Sequence, residues 1–167
     1  MNFYDKSDFS KLTETLENNF STIRQEYLNL SEEFLIEWKE HSLYTGNKWS
    51  VFGFLFQGEW IDESRLVCPK TYDALKGIEN ITTAGFSVLR PGTEILPHVG
   101  YTDEVLRCHM GIEVPTGDCF LEVNGEKRNW VEGECFIFDD TVEHSAWNRT
   151  DSDRVVFLVD ILRPEMA

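Results

Sequence analysis

Residues 120–148 read FLEVNGEKRNWVEGECFIFDDTVEHSAWN. Phe120–Val123 and Lys127–Trp130 read as strands on either side of Asn124-Gly125. That dipeptide tolerates positive φ at both turn positions and is the strongest short-range hairpin signal. Gly133 marks a further turn, and Glu134–Phe138 and Ser145–Asn148 read as two more strands. Working outward, Gly85–Leu89, Glu94–His98, Leu106–Glu113 and Arg154–Leu162 fit the same pattern, with Gly117 at another turn. Trp49–Phe56 is a short aromatic run, also strand-like. This many short strands with tight turns predicts a mainly β fold, a two-sheet jelly roll (a double-stranded β-helix, cupin-like).

The N-terminal part carries a different period. Phe9, Leu12, Leu16, Phe20, Ile23 and Tyr27 recur at steps of three and four, which predicts a helix with one apolar face. Ser7 is the expected N-cap, with Asp8 near the positive helix end. A second helix is expected from Ser31, with Glu32 and Glu33 in its first turn and Phe34, Leu35 and Trp38 turned inward. A short third helix is expected from Pro69 through Tyr72 and Leu75 to Gly77. The organisation expected is a single domain over 1–167, with a helical part (1–45) flanking a β core (46–167) and covering one sheet.

The net charge of −15 predicts repulsion from nucleic acid and from anionic membranes, so neither is an expected partner. A local cluster of Arg and His can still hold an anion inside this negative envelope. Cys68, Cys108, Cys119 and Cys135 form no CxxC pair, and MNFYDKSDFS is not an apolar leader. No apolar run approaches the ~20 residues that cross a bilayer. Reduced, buried thiols in a cytoplasmic protein are the expectation.

The chain has four histidines, and three fall in the β region. His98 ends one strand and His144 begins another, 46 residues apart (144 − 98). That is too far for a local zinc clip, but a jelly roll places strands distant in sequence side by side. Imidazole suits Fe(II), Zn(II), Cu or Ni, and the common non-haem iron site adds a carboxylate to two histidines. The residue two after the first histidine, where that carboxylate usually stands, is Gly100. Arg154 opens a strongly apolar strand, either as an edge residue reaching water or as a charge facing an interior anion. Arg107 and His109 alternate on one strand and so share a face, inward or outward.

Three blocks carry a resemblance: FSVLRPGTEILPHVGYTDEVLRCHMGIEVP (86–115), NWVEGECFIFDDTVEHSAWNRT (129–150) and RVVFLVDILRP (154–164). From Ser87 to Pro164, nearly half the chain, they resemble the catalytic domain of the aspartyl/asparaginyl β-hydroxylases, which are Fe(II)- and 2-oxoglutarate-dependent oxygenases. The resemblance implies a hydroxylase that uses Fe(II), 2-oxoglutarate and O₂. It implies His98 and His144 as metal ligands, with water in place of the usual carboxylate, in agreement with Gly100. It implies Arg154 and Ser87 at the distal carboxylate of 2-oxoglutarate, and His109 and Arg107 around its metal-proximal end, Arg107 instead or also touching a substrate carboxylate. The Phe138-Asp139-Asp140 element is a mark of the family too; either aspartate is a possible metal ligand, but capping the turn and orienting His144 is the preferred role. The expected substrate is an aspartyl- or asparaginyl-type amino acid, free or within a peptide or metabolite. Another small metabolite, an acyl group, and a non-catalytic metal-binding jelly-roll module are the alternatives.

Overall fold

The computed structural model describes residues 2–167. Strand β1 (Phe3–Tyr4) leads into helices α1 (Ser10–Asn18) and α2 (Phe20–Leu28). Then come β2 (Ile36–Glu37), β3 (Tyr44–Thr45), β4 (Trp49–Phe56), β5 (Glu59–Trp60), α3 (Ser64–Val67) and α4 (Pro69–Lys76). The core strands follow: β6 (Ile81–Leu89), β7 (Thr93–His98), β8 (Val105–Glu113), β9 (Cys119–Val123), β10 (Glu126–Arg128), β11 (Cys135–Phe138), β12 (His144–Asn148) and β13 (Arg154–Leu162). They form two antiparallel sheets, ordered β1-β11-β8-β13-β6-β4-β2, with β5 on β4, and β10-β9-β12-β7-β3. From β6 onward the chain alternates between the sheets, apart from the β9–β10 hairpin, which is the winding of a jelly roll.

The hairpin forms where Asn124-Gly125 predicts it. Both residues have positive φ (47° and 82°), and Val123 pairs with Glu126 across them. The mainly β architecture and all eight core strands agree with the sequence reading, as does the helix from Pro69 to its end at Gly77. The four cysteines are free and buried.

The N-terminal part departs from expectation. The continuous helix breaks at Asn19, whose side-chain amide donates to the Thr15 carbonyl and satisfies an acceptor at the end of α1. α1 itself has no side-chain cap; Asp5 caps a 3₁₀ turn before it (Lys6–Phe9), and Ser7 lies inside that turn. The Asp5 carboxylate accepts from the Ser7 backbone N–H at 2.9 Å and from the Ser7 hydroxyl at 2.8 Å. The helix expected from Ser31 is a single 3₁₀ turn, Glu32–Phe34. Pairing of Ile36 with Val51 on β4 draws the chain out of helical geometry, and Phe34 stays exposed. Residues 1–45 therefore contribute three short strands as well as helices.

Two apolar layers result. Outside the large sheet, Leu12, Leu16 and Ile23 of the helices belong to one buried cluster with Phe52, Phe54, Phe86 and Phe157. The Phe54, Phe86 and Phe157 rings meet at 5.0–5.8 Å, and each fully buried ring contributes about 1.5–3 kcal/mol by leaving water. Between the sheets lies a smaller core of Leu89, Ile95, Leu121, Val123, Trp130, Phe136, Phe138 and Val156. The large sheet draws β4 and β6 close at Gly85, where a Cβ would come 2.6 Å from the Phe52 carbonyl oxygen. Ser87, two residues on, faces the same inter-sheet space.

Candidate functional site

The winding explains how two distant histidines meet. β7 and β12 are neighbours in the smaller sheet, and His98 and His144 are register partners. Their ring centroids lie 4.4 Å apart. The register shifts between His144 and Ala146, a bulge of the kind that re-aims a side chain. Each ring is held in the same way. His98 Nδ1 lies 2.7 Å from the Leu96 carbonyl oxygen and His144 Nδ1 lies 2.8 Å from that of Val142. A carbonyl oxygen only accepts, so each Nδ1 carries the proton and each Nε2 keeps its lone pair. This is the arrangement by which a protein presents Nε2 to a metal. Burial pushes His144 down to about 4, so its ring is neutral and ready to ligate across the physiological range.

No side chain at position 100 adds a carboxylate, and the structure shows what takes the space. A Cβ on Gly100 would lie 2.3 Å from Oδ2 of Asp140, and the Gly100 N–H donates to the Asp140 carbonyl at 2.7 Å. Asp140 is buried, and neither of its carboxylate oxygens has a hydrogen-bond partner. Burial raises its pKa, against the pull of Arg107 and, more weakly, of His98. Among the described residues, no three His, Cys, Asp or Glu side chains are placed to hold one metal. Asp140 faces the Arg107 guanidinium at 3.4 Å and makes no hydrogen bond through its carboxylate. Only part of the expected role of the two aspartates is realised. Asp139 caps the turn by accepting from Thr141 and pairs with Arg163 at 2.7 Å, whereas His144 is oriented by the Val142 carbonyl.

Tight packing at Gly100 yields a prediction. Gly100→Ala must displace the Asp140 carboxylate, and overpacking typically costs about 1–3 kcal/mol. Thermal melts are expected to show this loss; an unchanged melting temperature would mean that the loop shifts freely.

On the facing sheet, β13 brings in Arg154, 1 % exposed. Its Nη2 donates to the Ser87 hydroxyl and carbonyl oxygens, both at 3.2 Å, and the Ser87 hydroxyl also accepts from Trp49 Nε1 at 2.9 Å. Its guanidinium lies 4.6 Å from the centre of the Trp130 ring. Among the described residues no carboxylate pairs with it, and its Nε is buried without a partner. Burial alone pushes its pKa down to about 10. Such a cation is costly unless an anion joins it.

Arg107 and His109 both point between the sheets, but they differ. Arg107 is already engaged. It grips Asp160 through Nε and Nη2 at 2.8 and 3.0 Å, and Nη1 lies 3.4 Å from Asp140. Burial opposes its charge, and Asp160 more than restores it. His109 is buried, accepts from Trp130 Nε1 at 3.0 Å through Nδ1, and has an unpartnered Nε2. Burial first, then the charges of Arg154 and Arg107, holds it well below its ordinary pKa, and His144 adds to the effect. His109 thus stands within electrostatic reach of both Arg154 and His144. The site combines a buried cation without a carboxylate, Arg154, with two imidazoles that keep an Nε2 lone pair.

The family model for aspartyl/asparaginyl β-hydroxylase matches residues 17–164. The chain belongs to that family. The family match takes in all of α2 and only the last two residues of α1. The chain is 38% identical over 168 residues to aspartate β-hydroxylase domain-containing protein 2 of Mus musculus, covering 92% of this chain and 48% of that protein. It is 38% identical over 125 residues to the ornithine lipid ester-linked acyl 2-hydroxylase of Rhizobium tropici, covering 74% of this chain and 44% of that one. The chain thus spans about half the length of these curated relatives. Among solved structures, a Pseudomonas putida prolyl-4-hydroxylase aligns with a TM-score of 0.56 over 90% of this chain and 87% of that one. At 14% identity that likeness speaks for the fold alone. Among the described residues no helix is long and apolar enough to cross a membrane.

Proposed function

We propose that the chain is an Fe(II)- and 2-oxoglutarate-dependent hydroxylase. The observation that carries this reading is the buried Arg154 guanidinium, without a counter-anion, in one inter-sheet space with two imidazoles that present Nε2. A keto-diacid has the chemistry for both: one carboxylate would meet the guanidinium, and the keto-acid end would go to a metal held by the imidazoles. His98 and His144 hold the metal. Arg154 and Ser87 would take the distal carboxylate, and the unpartnered Nε2 of His109 would serve the metal-proximal end. Arg107, fastened to Asp160, keeps positive charge beside Asp140 and the proximal end.

Iron, 2-oxoglutarate and O₂ supply the oxidation that places a hydroxyl on a substrate C–H bond, with succinate and CO₂ released. The residues themselves orient the reactants and exclude water.

The substrate proposed is an aspartyl- or asparaginyl-type amino acid, free or within a peptide or metabolite. An acyl substrate is the second reading. Arg107 is committed to Asp160, and the loop after His98 exposes Val99 and Tyr101, an apolar edge beside the metal ligands. The similarity to the Rhizobium acyl hydroxylase points the same way. Nucleic acid and membrane surfaces are not proposed as partners, given the −15 net charge. A cytoplasmic setting suits the four free buried thiols.

The test is 2-oxoglutarate turnover with Fe(II) and O₂, followed as succinate, while amino acids, peptides and acyl compounds are screened for the gain of one oxygen. Succinate that rises with a hydroxylated product supports the proposal. No succinate with any substrate class, in protein that binds the metal, would favour the non-catalytic module.

A further inference from the structure

The strand expected over Lys127–Trp130 stops at Arg128, short of Trp130. Trp130 lies instead in the connection between β10 and β11, 3 % exposed, and touches both halves of the anion pocket. Its indole N–H points at His109 Nδ1 at 3.0 Å, and the two rings are nearly parallel, 28° apart. The same indole face lies under the Arg154 guanidinium, 4.6 Å from the ring centre.

We infer that Trp130 is the positioning residue of this pocket: its N–H places the proton of His109 on Nε2, and its face seats the Arg154 fork. The inference rests on the reading of the pocket as a 2-oxoglutarate site. An indole N–H donates and never accepts, and a neutral imidazole has one donor and one acceptor nitrogen. With Trp130 donating to Nδ1, that nitrogen holds the lone pair, so Nε2 carries the hydrogen. Nε2 is the buried nitrogen without a partner. The pocket is thereby built with a donor ready for a carboxylate or keto oxygen. The opposite tautomer would set two N–H groups against each other and turn a lone pair toward an anion. For Arg154, which has no carboxylate of its own, the indole face supplies negative quadrupole in the absence of ligand. The fork is therefore already oriented when an anion arrives, and little is lost in ordering it.

The discriminating variant is Trp130→Phe, which keeps a ring face for Arg154 and removes the N–H. Two readouts are independent of turnover. In the ligand-free protein, nitrogen NMR of His109 is expected to show hydrogen on Nε2 alone in the parent, and a mixture of tautomers in the variant. In calorimetric titration of the Mn(II)-loaded protein, 2-oxoglutarate is expected to bind about tenfold more weakly, the scale of one lost hydrogen bond. In a His109→Leu background, Trp130→Phe is expected to cause no further loss. A parent protein with hydrogen on His109 Nδ1 overturns the inference, even if the variant does not fold. So does unchanged affinity in Trp130→Phe, or the same tenfold loss without His109. If the parent binds no 2-oxoglutarate, the ligand reading fails; the NMR comparison still decides whether Trp130 sets the tautomer.

Discussion

Arg154→Met is expected to melt no lower than the parent protein and to bind 2-oxoglutarate at least thirtyfold more weakly. The two halves have one cause. Arg154 is a buried cation without a carboxylate partner, and burial has moved its pKa from 12.5 to about 10. That displacement corresponds to about 3 kcal/mol held against the folded state. Methionine keeps much of the volume and removes the charge. The lost bonds to Ser87 and the contact with Trp130 return part of the gain, so the net stability change is near zero or favourable. Binding moves the other way, because the incoming carboxylate loses its bidentate partner. Truncating one member of a buried charged pair costs about 2–5 kcal/mol, or roughly thirtyfold to several thousandfold. Thermal melts and 2-oxoglutarate titrations on the same preparations check both halves. Unchanged affinity removes Arg154 from the pocket; a melt far below the parent would make it a structural residue.

The second large effect concerns the imidazoles. Removing both, in His98→Ala/His144→Ala, is expected to abolish turnover. Each single variant is expected to bind Fe(II) at least about a hundredfold more weakly, since outer-shell partners alone are worth roughly ten- to hundredfold. The single variants keep one imidazole, and a chelating keto acid adds two donors of its own. Residual turnover at high iron is therefore compatible with the account in a single variant and not in the double. Metal titration by calorimetry, with circular dichroism to verify folding, provides the check. Full turnover in the double variant would show that the metal sits elsewhere.

Which parts of this could be read in advance follows from locality. The Asn124-Gly125 hairpin is encoded by two adjacent residues, and the structure has it. Position 100 could be read as lacking a carboxylate, but not as filled by Asp140, because the loops after β7 and β11 meet only in the folded sheets. Adjacent Asp139 and Asp140 look equivalent in the sequence. One is satisfied by Thr141 and Arg163, and the other is buried without a hydrogen-bond donor. The pairing of Arg107 with Asp160 links residues 53 apart and depends on the β8–β13 register. Its partner could have been sought in the lone aspartate inside an otherwise apolar strand. Trp130 offered a weaker signal, a large aromatic just past a short strand. The N-terminal helices show the opposite limit: apolar period alone overstated helix length, where Asn19 splits the first helix and the pairing of β2 with β4 replaces the one expected from Ser31.

The most direct measurement is an anaerobic optical titration. Chelation of ferrous iron by a 2-keto acid produces a visible charge-transfer band. Adding 2-oxoglutarate to the Fe(II)-loaded parent protein is expected to give a saturable band, shifted to higher 2-oxoglutarate in Arg154→Met and absent in His98→Ala/His144→Ala. No band in the parent, or an undiminished one in the double-histidine variant, would contradict the proposal that these two imidazoles and this guanidinium build one site.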